Sequence, residues 1–164
     1  NWEAAGRARS ALSAVAFTLG CVLADGEPFD SPRAMAQAGP RAALYLHRAA
    51  DEALSGLRNS SPTDASVQEA VRAFIEVARG YQPEDARYLS THRGHLLFVR
   101  PEERPFVTAD LIRQSTFTAT ESELIERIAA MRDAGYSQFA VQITHGQEQA
   151  IEDWARIKKA LTGR

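Results

Sequence analysis

Apolar and polar positions fix the elements of this chain most firmly between Thr116 and Thr144, which read T-F-T-A-T, then E-S-E-L-I-E-R-I-A-A-M-R-D-A-G, then Y-S-Q-F-A-V-Q-I-T. Leu124, Ile125, Ile128, Ala129 and Met131 recur at the spacing of one helical face. Thr120 followed by Glu123 spells a capping box, which starts the helix at Glu121, and Gly135 supplies the positive φ that closes it. The flanking runs read as strands. The helix between them is too long for a hairpin and right for a crossover, so the pattern predicts a βαβ unit with parallel strands.

Leu12 to Leu23 (L-S-A-V-A-F-T-L-G-C-V-L) is almost uniformly apolar and runs into the turn cluster A-D-G-E-P. A strand wet on one face would alternate; this one predicts a parallel strand covered on both faces. Asp30 or Ser31 then caps a helix with Pro32 in its first turn, carrying Met35, Ala38, Ala42, Leu46 and His47. Gly39-Pro40 falls inside it and predicts a bend. A loop covers 57–63. A second amphipathic helix runs from Asp64 to about Arg79, with Val67, Val71, Phe74, Ile75 and Ala78 inward. The proline-broken stretch after Gln82 allows short turns at 85–91 and 108–113. A last helix opens near Gly146 and Gln147, with Ile151, Trp154, Ala155 and Leu161 on one face. The sum is α/β, three parallel strands each followed by helix. Three such strands leave open edges, which natural sheets cover or close into a barrel.

Composition narrows the function classes. The 164 residues are 45% hydrophobic with net charge −2, and the basic residues are scattered among acids, which argues against nucleic acid. No apolar run spans a bilayer, no signal peptide is recognisable, and the single Cys21 fits a reducing, cytoplasmic setting. The opening W-E-A-A-G-R-A-R reads as a helix tail closing at Gly6, from which an absent upstream portion is expected.

Three runs carry a likeness to a known family: V-L-A-D-G-E-P-F-D-S-P-R-A-M-A-Q-A-G-P-R-A-A-L-Y-L-H, then H-R-G-H-L-L-F-V-R-P-E-E-R-P-F-V-T, then T-F-T-A-T-E-S-E-L-I-E-R-I-A-A-M-R-D-A-G-Y-S-Q-F-A-V-Q-I. Together they resemble the carboxy-terminal part of the luciferase-like flavin-dependent oxidoreductases, which include monooxygenases and deazaflavin-dependent reductases. The resemblance implies a partial (β/α)8 TIM barrel, its last three strand-helix units, and a small-molecule substrate. It also implies FMN or the deazaflavin coenzyme F-420 in the intact protein, with neither bound tightly by this chain alone. Ala119 stands where the family often has glycine. An isolated piece of such an enzyme is expected to be inactive. The contrasting reading is a small α/β interaction module that forms a homodimer through its open sheet edge.

In such a barrel the reactive groups sit at the carboxyl ends of strands, here around Asp25, Glu27, Thr118, Thr120 and His145. His145 suits contact with a flavin ring or acid-base work near neutral pH, and also reads as a loop histidine bonded to backbone. Asp25 and Glu27 line the pocket or merely build the D-G-E-P turn, the turn being favoured. Glu121 and Glu123 repel phosphate from the helix start. His92 and His95 form an H-x-x-H, but no third ligand is evident and Gly94 weakens a helix there. Packing or an interface is expected, with no metal. Cys21, inside an apolar strand with no base beside it, reads as a buried structural thiol.

Overall fold

The computed structural model describes residues 2–56 and 64–163; the loop read at 57–63 lies outside them. The chain is α/β with parallel strands. Strand β1 (Val15–Thr18) pairs in parallel with β4 (Gln138–Val141), in register Val15 with Gln138 through Thr18 with Val141. Strand β2 (Val22–Leu23) pairs in parallel with β3 (Ala119–Thr120). One stretch of chain, 15–23, therefore meets both partners and switches between them at Gly20. The switch needs glycine, because a Cβ on residue 20 would fall on the carbonyl of Phe117. Phe117 and Ala119 donate their amides to the carbonyls of Leu19 and Cys21 at 3.1 and 3.2 Å, which continues the ladder past that point.

Helix α1 (Pro32–Ser55) is capped by Ser31, whose hydroxyl accepts the Ala34 amide. It runs unbroken through Pro40. Proline at position 40 has no amide to offer the carbonyl of Ala36. That carbonyl is bonded instead by the buried hydroxyl of Thr144, at 3.1 Å, so the vacancy is filled from just beyond β4. Helices α2 (Gln68–Arg79), α3 (Arg87–Thr91) and α4 (Ala109–Ser115) follow, and α1, α2 and α4 enclose one core around Phe74, Leu46, Leu111 and Ile112. Helix α5 (Glu121–Asp133) begins at the expected cap: the Glu123 carboxylate takes the Thr120 amide at 2.9 Å and its hydroxyl at 2.7 Å. Helix α6 (Ala150–Thr162) starts later than the sequence suggested, after turns at 145–146 and 148–149.

The two faces of β2 are covered by different helices. Cys21 and Leu23 join the core of α1, α2 and α4, while Val22 between them joins Ala119, Leu124 of α5 and Ile157 of α6. The expected burial on both sides holds from Thr18 to Leu23, but not earlier. Val15 and Phe17 on β1 are 51% and 60% exposed. A barrel keeps its helices outside and its strands closed in a ring. Among the described residues there is no closed ring, and β3 and β4 do not pair with each other. At the amino end, Glu3–Ala5 forms a single tight turn closing at Gly6.

Candidate functional site

The carboxyl ends of β2 and β3 open into a cleft of about 650 Å³. Its apolar floor is Val22, Leu23 and Ile125, and its polar wall includes Asp25, Arg33, Thr120, Asp153 and Arg156. Arg33, in the first turn of α1, reaches back to the strand end. Its Nη2 donates to the Val22 carbonyl at 2.8 Å, its Nη1 meets Asp153 at 3.4 Å, and its Nε and Nη2 both bond Glu27. Arg156 of α6 bonds Glu121 at 3.0 Å and Asp153 at 2.8 Å.

Glu27 is a hinge of this arrangement rather than a wall of it. It accepts the Ala24 amide at 2.9 Å and the Ser31 hydroxyl at 2.7 Å besides its bonds from Arg33. Burial alone would raise its carboxyl; the bonds from Arg33, Ser31 and the Ala24 amide outweigh that and hold it down at about 2. The Arg33 guanidinium is correspondingly raised, chiefly by its bond to Glu27.

Of the residues expected at the rim, Asp25 and Thr120 line the cleft and Glu27 stands behind it. Two belong elsewhere. Thr118 is 1% exposed: its hydroxyl bonds that of Thr116 at 2.7 Å and accepts the Cys21 amide at 3.2 Å, so it locks two strands together inside the core. Thr118 precedes β3 and is held inward by its bonds to Thr116 and Cys21, whereas Thr120 stands at the carboxyl end of the strand, where the cleft opens. His145 is fully exposed, 3.7 Å from Glu148, and takes no part in the cleft wall. The turn after β4 carries it outward. Arg33, Asp153 and Arg156 were missed. Arg33 carried a signal, a long cation one turn into a capped helix that follows a strand; the two α6 residues carried none, being brought in only by packing.

Cys21 is fully buried, and burial pushes its thiol up to about 12, as a structural cysteine requires.

A second polar group lies far from the cleft, between α1 and the turn after α3. Arg100 and Glu103 form an ion pair with both side chains at most 2% exposed. Arg100 donates to the Ser90 carbonyl at 2.6 Å and the Thr91 carbonyl at 3.3 Å, while Glu103 takes the Arg100 amide at 2.9 Å and His47 Nε2 at 2.6 Å. Burial would raise Glu103, but the bonds from His47 and Arg100 prevail and hold it at about 2. His92 and His95 stand beside His47, so the H-x-x-H is not isolated packing: it meets a third imidazole. Sequence spacing could not show this, since His47 precedes His95 by 48 residues.

No family model, curated protein or solved structure matches the chain. No helix among the described residues is long and apolar enough to cross a membrane.

Proposed function

We propose that the chain contributes one wall of the active-site cleft of a luciferase-like flavin- or deazaflavin-dependent oxidoreductase acting in the cytoplasm. The observation that carries this reading is the cleft itself: it lies at the carboxyl ends of parallel strands, where α/β folds place their ligands, and two residues of the rim expected from the resemblance, Asp25 and Thr120, line it. The cofactor would supply hydride transfer or oxygen activation.

The lining suits the uncharged ring of such a cofactor and not its phosphate. Val22, Leu23 and Ile125 offer an apolar floor. Around it the carboxylates of Asp25, Glu27, Glu121 and Asp153 outnumber the guanidiniums of Arg33 and Arg156, and both guanidiniums already hold carboxylates. The start of α5 is likewise occupied by Glu121 and the capping Glu123. A phosphate placed there meets like charge. The chain alone is therefore expected to bind either cofactor weakly and without turnover. The barrel implied by the resemblance belongs to the same proposal, and it would require α1 to share a face with α5 and α6.

Amide chemical-shift mapping with FMN and with the deazaflavin tests the reading, because it registers weak binding. Shifts clustered at 22–25 and 120–125, and abolished by Ser122→Trp across the cleft mouth, are the expected result. No shifts with either cofactor, or shifts confined elsewhere, would discard it.

The bare apolar face of β1, with Val15 and Phe17 more than half exposed, favours a second reading as a homodimerising module. Sedimentation of the wild-type chain and of Phe17→Asp separates the two: a dimer abolished by the substitution supports the module.

A further inference from the structure

The three imidazoles beside the Arg100–Glu103 pair are arranged as ligands. His47 lies on α1, His92 closes α3, and His95 sits in the turn that follows. The turn is shaped to bring His95 inward: Gly94 and Leu96 on either side both have positive φ, 79° and 61°, and Gln142 at the end of β4 donates its amide to the Leu96 carbonyl at 2.9 Å. A leucine in that region of backbone space is uncommon.

The orientation of the rings is the decisive observation. His47 turns Nε2 to Glu103 at 2.6 Å and His92 turns Nε2 to Asp51 at 2.7 Å, so a carboxylate takes Nε2 of both rings and Nδ1 is the nitrogen left to face the third imidazole. Those Nδ1 atoms converge. His92 Nδ1 is 3.0 Å and His47 Nδ1 is 3.5 Å from His95 Nδ1, and the three ligand atoms lie within 4.8 Å of one another.

A metal ion serves all three. Zinc bound to imidazole at about 2.0–2.1 Å in a tetrahedron separates its ligand nitrogens by about 3.3 Å, against 3.0 and 3.5 Å from His95 Nδ1 to its two neighbours and at most 4.8 Å across the set, so the rings need only draw together to close on the ion. Carboxylates on the far nitrogens are what metal-bound histidines ordinarily have, fixing the tautomer and the ring plane. Imidazole donors favour zinc and its first-row neighbours over calcium or magnesium. The geometry points to a zinc site formed by Nδ1 of His47, His92 and His95, with Glu103 and Asp51 behind it and a fourth position toward solvent, where His92 is 32% exposed. The ion ties the turn at 92–97 to α1. Fourteen helical residues separate His47 from Arg33, about 21 Å at 1.5 Å each, so this site stands apart from the cleft and from its proposed function.

The test uses zinc chloride with the metal-free chain. Expected are one zinc per chain by calorimetry, a raised melting temperature, loss of at least about 100-fold in affinity in His95→Ala, and a loss of about 10- to 100-fold in Asp51→Asn. Circular dichroism confirms that each variant is folded. Cobalt gives an independent reading that requires no loss of structure. The wild-type complex should show the strong visible bands of a tetrahedral centre, and His95→Cys should add a thiolate-to-cobalt charge-transfer band. Zinc bound equally by wild type and His95→Ala, less than one zinc per chain, or a weak octahedral cobalt spectrum would overturn the site.

Discussion

Gly20 is where a single missing side chain lets one strand exchange partners. The Phe117 backbone fills the space a Cβ would need, and backbone cannot swing aside as a flexible side chain can. Gly20→Ala is expected to destabilise the fold by about 1–3 kcal/mol, measured by urea unfolding, and a neutral result would mean that the Phe117 backbone does not approach so closely. Glu27 acts through charge. Its carboxyl, held at about 2 against an ordinary 4.5, binds a proton less readily in the folded than in the unfolded chain. Its contribution is complete above the unfolded value and is lost as the pH falls toward the folded one. The stability advantage of wild type over Glu27→Gln should therefore shrink between about pH 5 and pH 2. An advantage constant across that window would show that Glu27 is not held by Arg33.

At the scale of elements, what sequence could reveal was what a few neighbouring residues decide. The cap of α5 needs only Thr120 and Glu123, and Ser31 and Pro32 are enough to start α1. The length of one crossover predicted parallel strands on either side of α5; each of them is parallel to a part of 15–23, but they do not pair with each other. Pro40 shows the limit of such reading. Local rules predict a bend there, and whether a helix survives depends on what replaces the lost bond. The replacement is Thr144, 108 residues after Ala36, whose carbonyl its hydroxyl reaches. No window of sequence contains both. Thr144→Val keeps the shape and removes the donor, leaving a buried carbonyl unsatisfied. A loss of about 1–3 kcal/mol in thermal or urea unfolding is expected, with Thr144→Ser close to wild type. Equal stability of the valine variant would show that the carbonyl is satisfied in another way.

Across the whole molecule, the cleft was partly legible, because strand ends and turn residues mark it, whereas the histidine group was not. It is assembled from α1, α3 and the turn after α3, held by a buried pair whose own spacing, Arg100 to Glu103, looks like ordinary surface charge. That pair joins the carbonyls of Ser90 and Thr91 to His47 on α1, so it ties distant parts of the chain. Taking two charges from water is costly, and a buried pair returns the cost only while both partners remain. Removing Glu103 takes from Arg100 its one buried counter-charge. Glu103→Ala in the metal-free chain should therefore lose about 3–5 kcal/mol, because the buried Arg100 keeps only the part-exposed Glu102, 3.2 Å from its Nη1, against its charge. The double change Arg100→Met with Glu103→Leu should recover much of that loss, since an apolar pair asks for no solvation. A double-mutant cycle by urea unfolding reads both outcomes. If the double variant were no more stable than Glu103→Ala, the loss would come from the orphaned His47 and the packing of the turn, not from the stranded guanidinium.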